Sequence, residues 1–473
     1  MLQQTKPPYL DTMYCSFSNS LSLLLLLLIL PLSSSIPSVS NSNAHHSTNT
    51  INMVPSEAET LFTIMESMSS DQTWRVSFPK PCQPGQTWPG IECKLGADNH
   101  LHVSRLDFGN HPNPSCKRTA TFPSEISALP HLQSVFFFNC FTHTKTSFSV
   151  SRASNASSLQ QLSLRSNPAL VGPIPPQISS LKSLEILTLS QNRLTGKIPP
   201  EVFSLSSLVH LDLSYNMLTG TIPVQLGSLR NLQGLDLSYN MLTGSIPNSI
   251  GELVLLQKVD FSSNLLSGGI PEGIHQLSLL NFLALSNNKL HGQFPKGLEK
   301  LQSLQYLILD GNPMNITLPL ELGKLVKLQE LRLADSGYSG TIPESFSQLK
   351  NLSTLSLQNN RLTGEIPLGF GSLSHIYHLN LSRNMLGGVV PFNPSFLSRL
   401  GRNLDLSGNP GLCLSPSEAH ILKIGVNVCG TNGNGSAILP LKNSQASSGL
   451  SKPFFLLTPA LCVLGLHQIL FLV

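Results

Sequence analysis

A chain of 473 residues is too long for one compact core, so it divides into domains or is built from a repeat that grows without enlarging its core. Charged residues are only 11% of the total and the formal net charge is +4. No long basic stretch is available to neutralise a nucleic-acid backbone, and nucleic acid is excluded as an expected partner.

Taken in chain order, the first signal is Leu21 to Leu32, an almost unbroken run of Leu and Ile followed by Ser33, Ser34 and Ser35. Its length suits the apolar segment of a signal peptide and is short for a bilayer span, so residues 1–35 are read as a signal peptide. Residues 54–100 are expected to form an N-terminal cap. Ser56 and Glu59 make an S-x-x-E capping box ahead of Leu61, Ile64, Met65 and Met68, whose spacing predicts an amphipathic helix suited to shield the first turn of a repeat array.

From 101 to 409 the chain repeats. Leu184, Leu208, Leu232, Leu256, Leu280, Leu304, Leu328, Leu352 and Ile376 succeed one another at steps of 24 residues. Each unit reads L-x-x-L-x-L-x-x-N-x-L-x-G-x-I-P, the leucine-rich repeat, and roughly twelve units can be counted. The L-x-L pair, as in Leu187 and Leu189, alternates with period two and predicts a short strand with one face inward. The fold class is therefore α/β, a right-handed leucine-rich-repeat solenoid with a parallel concave sheet and disulfide-capped ends. The Asn column (Asn167, Asn192, Asn216, Asn240, Asn264, Asn288, Asn312, Asn360, Asn384, Asn409) is expected to point inward and bond the backbone of its own and the next turn. Ser336 breaks that column, so the turn around Asp335 is expected to be locally weaker. The G-x-I-P segments predict a second short strand on the convex side.

Residues 410–430 are read as a C-terminal cap and 431–452 as a polar linker. The segment 453–473 is an apolar tail long enough to span a bilayer. No basic residue comes after it and Lys452 precedes it, the pattern of a lipid-anchor signal with Ser444 or Ser447 as attachment residue; a retained transmembrane helix is the alternative.

Six cysteines, Cys82, Cys93, Cys116, Cys140, Cys413 and Cys429, form an even set flanking the middle of the chain. Fifteen connectivities exist, and short local loops favour pairing between neighbours in an oxidising compartment. Sequons at Asn155, Asn315, Asn351, Asn380 and Asn434 agree with secretion. Asn380 lies between two core leucines, so a glycan there would project from the concave face.

Polar residues repeat as ladders here, whereas a catalytic centre needs unlike groups converging on one point. No nucleophile elbow, phosphate loop or metal-spaced cluster is present, so no enzyme activity, cofactor or metal is expected. Binding candidates are the exposed positions of the concave strands. Asp212, Asp236 and Asp260 stack in one column with Tyr215 and Tyr239 nearby, although L-D-L-S is common and such aspartates ordinarily orient backbone. His210, Phe282, Tyr306, Arg332, Tyr377 and His378 match interface anchors better.

Some residues carry a more specific likeness. Trp74, Cys82, Trp88, Gly90, Ile91 and Cys93 look like the N-terminal cap of plant extracellular leucine-rich repeats, and the 24-residue unit with G-x-I-P is the plant type. The stretches FFFNCFT at 136–142, PNPSC ending at Cys116 and NLDLSGNPGLC ending at Cys413 resemble the Too Many Mouths group of plant leucine-rich-repeat receptor-like proteins. The resemblance covers about residues 54–430. It implies disulfides Cys82–Cys93, Cys116–Cys140 and Cys413–Cys429. It also implies a cell-surface protein at the outer face of the plasma membrane that binds a secreted peptide or a receptor-kinase ectodomain and signals through leucine-rich-repeat receptor kinases. An extracellular inhibitor of cell-wall-degrading enzymes such as polygalacturonase is the alternative, and a structural wall-adhesion protein a third.

Overall fold

The computed structural model describes residues 52–83, 88–150, 158–417 and 425–430. The expected signal peptide, Asn155, Asn434, Ser444, Ser447 and the apolar tail lie outside the described residues.

Helix α1, Pro55–Met68, buries Leu61, Phe62, Ile64, Met65 and Met68, the spacing of a helix with one apolar face. The expected capping box does not form. Val54 is the N-cap and Pro55 the first helical residue, with no side chain capping the end. Proline there has no N–H to satisfy, which removes one of the donors a capping box would serve. Ser56 is inside the helix, its carbonyl accepting from Thr60 Oγ1 at 2.9 Å, and Glu59 accepts from the Arg75 guanidinium at 2.7 Å. Glu57 turns inward: it accepts from the Val103 N–H at 2.9 Å and meets His102 Nδ1 at 2.6 Å. A short helix α2, Trp74–Ser77, comes next, and Trp74, Phe78 and Trp88 pack with Phe62, the Phe78 and Trp88 rings 5.0 Å apart.

Among the described residues the long sheet has fourteen strands. Ile91–Leu95 pairs antiparallel with Leu101–Phe108, and every later strand adds in parallel and in chain order as far as Leu404–Asp405. Most are three residues long, with the central leucine fully buried and its neighbours half-buried. The two leucines of each turn meet those of the next, and one continuous apolar core runs from α1 to Leu414.

The asparagine column is buried, and its direction is the reverse of that expected. Asn216 Nδ2 donates to the Leu213 carbonyl of its own turn and to Leu189 of the preceding one, at 3.1 and 2.7 Å, while its Oδ1 accepts from Leu194 N at 3.0 Å. The same pattern recurs at Asn240, Asn264 and Asn384. Each asparagine stands where its chain leaves the strand, and the carbonyls without a sheet partner are those of the turn already laid down. At Ser336 the shorter side chain shares its proton between Ala334 O at 2.7 Å and Leu309 O at 3.3 Å and accepts from Asn312 N. The Met314 N–H turns to Asn312 O instead. Tyr338, in the slot Leu218 fills elsewhere, is fully buried with no hydrogen-bond partner for its hydroxyl. Serine therefore keeps much of the ladder, and the phenol is the weak point, an orphan worth about 1–3 kcal/mol.

The expected second strand of each unit forms and runs into the start of G-x-I-P, as in Met217–Thr221, which ends on Gly220 and Thr221. Ile-Pro then enters a 3-10 turn that begins after the proline and forms the convex side. These second strands form separate sheets of seven and five strands, parted at 313–316, where Pro313 lacks a ladder donor. Near the far end, helix α3, Pro394–Leu400, is capped by the Asn393 side chain, and its Arg399 donates to the Leu373, Ser374 and Ile376 carbonyls. The disulfides are Cys82–Cys93, Cys116–Cys140 and Cys413–Cys429, the pairing implied by the resemblance.

Candidate functional site

The exposed face of the long sheet is built of two columns per turn, one residue before and one after the buried central leucine. The register sets His210, Gly234, Lys258, Phe282, Tyr306, Glu330, Thr354 and His378 side by side in the first column. The second holds Asp212, Asp236, Asp260, Ala284, Ile308, Arg332, Ser356 and Asn380. Parallel in-register strands place such neighbours about 4.8 Å apart.

Of the expected binding residues, His210, Phe282, Tyr306 and His378 share the first column, and the three aspartates and Arg332 the second. Tyr377 precedes its strand and is exposed. Tyr215 and Tyr239 stand on the rim just after the strands, in left-handed backbone, their rings stacked 4.1 Å apart. At the centre, the Phe282 and Tyr306 rings are 5.8 Å apart and the Lys258 ammonium lies 5.6 Å from the Phe282 ring. Tyr306 donates to Gln329 Oε1 at 3.1 Å, and Arg332 pairs with Glu330 on the same strand. Aromatic rings held this way lose little freedom on binding, which is what an interface anchor requires. Gly234 leaves a notch: a Cβ there would stand 2.6 Å from the His210 ring.

Each aspartate does local work with one oxygen. Asp212 Oδ1 accepts from Ser214 N and Oγ at 2.9 and 2.6 Å, Asp236 likewise from Ser238, and Asp260 from Ser262 N. The other oxygen of Asp236 faces Lys258 Nζ at 3.7 Å. Burial, then the charges of Asp260 and Asp212, push Asp236 up to about 7 against the pull of Lys258. Burial and Lys258 hold the His210 imidazole below its usual range; burial, then Arg332, do the same for His378. Beyond Arg332, burial pushes Asp310 up to about 6 although it accepts from Ala334 N at 2.7 Å.

Sequence reasoning missed Lys258 and Glu330, which the first column places beside the aromatics. It also missed Met217, Met241 and Leu265, exposed just past the asparagine in three successive turns. The signal was present: LDLSYNMLTG occurs twice, at 211–220 and 235–244. Among the sequons, Asn315 and Asn351 are exposed and Asn380 is half-buried on the sheet face, its Oδ1 accepting from Ser382 N and Oγ. No cluster of three or more histidine, cysteine or acidic side chains fit to hold a metal occurs among the described residues, and no helix there is long and apolar enough to cross a membrane.

The leucine-rich-repeat family model matches residues 157–218, 182–242 and 326–386, and a second model of the repeat matches 255–277. Receptor like protein 29 of Arabidopsis thaliana is 71% identical over 143 residues, 30% of this chain and 31% of the relative. Protein Too Many Mouths of the same plant is 39% identical over 137 residues, 28% of this chain and 27% of the relative. Each match thus spans less than a third of the relative's length. Among solved structures, PEPR1 with AtPEP1 superposes with a TM-score of 0.62 at 29% identity, over 76% of this chain and 51% of that one. The plant peptide hormone receptor RGFR1 in complex with RGF2 gives 0.55 at 29%, over 66% and 49%.

Proposed function

Since the chain is a plant leucine-rich-repeat receptor-like protein, we propose that it works at the outer face of the plasma membrane, where its long-sheet face binds a secreted peptide or a receptor-kinase ectodomain and a kinase-bearing co-receptor passes the signal on. The carrying observation is the row Lys258, Phe282, Tyr306, Glu330 on four adjacent strands, with Arg332 beside it. These are unlike, half-buried anchors on a rigid support, suited to a specific partner rather than to a repeating polymer. Resemblance to ectodomains solved with peptide ligands supports the same reading.

The test is to purify the full-length protein from plant membranes after mild crosslinking and identify what accompanies it. Recovery of a leucine-rich-repeat receptor kinase is expected. Recovery of a cell-wall-degrading enzyme, with inhibition of polygalacturonase in vitro, would replace the reading by the inhibitor one. The proposed lipid anchor at Ser444 or Ser447 predicts release from intact cells by a phosphatidylinositol-specific phospholipase; retention points to a transmembrane helix. The proposed glycans on Asn155, Asn315, Asn351, Asn380 and Asn434 are read by peptide mapping after deglycosylation.

A further inference from the structure

The rim of the sheet carries an apolar patch that the core does not need. Tyr215 and Tyr239 stack on successive turns and are 41% and 48% exposed; two residues on from each, Met217 and Met241 are 46% and 40% exposed, and Leu265 continues the column at 42%. Scattered apolar residues are ordinary on a surface, but five exposed ones at two repeat positions of three adjacent turns are a concentration of the kind that marks a contact site. Methionine and tyrosine are suited to it, one adaptable in shape, the other large and stiff.

What the patch faces selects its occupant. The Asp212, Asp236, Asp260 column runs beside the stacked tyrosines: the charges of Asp236 and Asp260 reach the Tyr215 phenol and, with burial and Tyr239 acting first, push it up. Three carboxylates stand there against Lys258, with His210 biased to its neutral form. A cation fits this row and an anion is repelled by it. Three turns extend about 10 Å along the sheet, the length of three residues of extended chain. We propose that this rim takes an extended peptide carrying a lysine or arginine one or two places from an aromatic or aliphatic side chain, the cation on the aspartate row and the apolar group across Met217, Met241 and Leu265. This rests on the peptide-binding reading above and names the chemistry of the peptide.

The chain itself supplies a variant that changes charge while keeping the fold. Asn380 occupies the aspartate column and accepts from Ser382 N and Oγ as the aspartates accept from their serines, at 3.1 and 2.7 Å. Replacing Asp212, Asp236 and Asp260 together by Asn therefore removes the negative charge of the row, to which Asp236, raised to about 7, contributes only in part near neutral pH, and keeps the local hydrogen bonds. The full-length protein and this triple variant are immobilised and panned against a phage-displayed random heptapeptide library. The native chain is expected to enrich peptides with Lys or Arg next to an aromatic or aliphatic residue about tenfold over the unpanned library, a factor worth about 1.4 kcal/mol, and the triple variant to lose that enrichment. Tyr215→Ala, an exposed change, should weaken the apolar part of the consensus while keeping the basic part. Retained peptides without a basic bias, or a bias that survives the triple variant, would overturn the inference and leave peptide binding standing. Retention of no peptide at all would overturn both.

Discussion

A side chain in this molecule is repeated or unique, and its consequences differ accordingly. Asn264 joins the Leu237 and Phe261 carbonyls to the Leu242 N–H, all buried. Asn264→Ala strands the Leu242 N–H and takes one donor from each carbonyl, which keep Asn240 Nδ2 and Asn288 Nδ2, so a loss of about 2 kcal/mol is expected in denaturant unfolding, whereas Lys289→Ala on the exposed rim should cost less than about 0.5 kcal/mol. Asp236 predicts a pH dependence. Its folded value is raised to about 7, so the folded chain holds a proton that an unfolded aspartate, near 3.9, gives up. That contribution is complete below about 3.9 and is lost as pH rises through about 7; Asp310, raised to about 6, acts in the same direction. The unfolding temperature of Asp236→Asn should accordingly fall less than that of the native chain between pH 5 and 8, and equal slopes would refute the assignment. The ladder's residues were legible because a buried polar column can only be an internal bonding system. Its direction was not, since a 24-residue period has no sign until one knows which carbonyls the sheet leaves unpaired. Burial of the Tyr338 hydroxyl was equally hidden: pattern alone does not tell a phenol in a leucine slot from one beside it.

Among the elements, α1 is the one whose attachment is most specific. Glu57 ties it to the first long strand through Val103 N and His102, whose other ring nitrogen lies 3.0 Å from Asp98. Burial pulls His102 down, and the two carboxylates outweigh it, leaving its pKa raised. Glu57→Ala strands a buried N–H and an imidazole, so a loss of about 3 kcal/mol is expected, together with faster hydrogen exchange across 101–108 and little change beyond residue 180. Uniform exchange along the chain would contradict a local role. The helix itself was readable from Leu61, Ile64, Met65 and Met68, since period follows from burial, but its start was misplaced by two residues, from Ser56 to Val54 as N-cap, because Pro55 needs no cap. Helix α3 was missed because it falls inside the repeat frame; its signal, Asn393-Pro394 before Phe396, Leu397 and Leu400, is the ordinary start of a short amphipathic helix.

At the scale of the whole molecule, a coil of like turns offers two long surfaces, and the binding role proposed above falls to one. The long-sheet face carries the anchors, and its late turns also carry Asn380, so a glycan there and a partner over Tyr377 and His378 exclude one another. Full occupancy by peptide mapping would restrict the footprint to the turns before it. The fold was legible almost entirely, because a repeated pattern averages away local error. The columns of the proposed binding face were readable in the sequence, but not their chemistry: which columns are unlike their neighbours depends on register, and register put Lys258 and Glu330 beside Phe282 and Tyr306. The most direct measurement compares recovery of the receptor kinase by the full-length chain carrying Phe282→Ala with Tyr306→Ala and by the chain carrying Val224→Ala with Leu368→Ala, two exposed positions on the convex turns. A binding face on the long sheet predicts at least a tenfold loss of affinity, about 1.4 kcal/mol or more, for the first pair and none for the second. Capture that survives the first pair and fails with the second would place the interface on the opposite side of the coil.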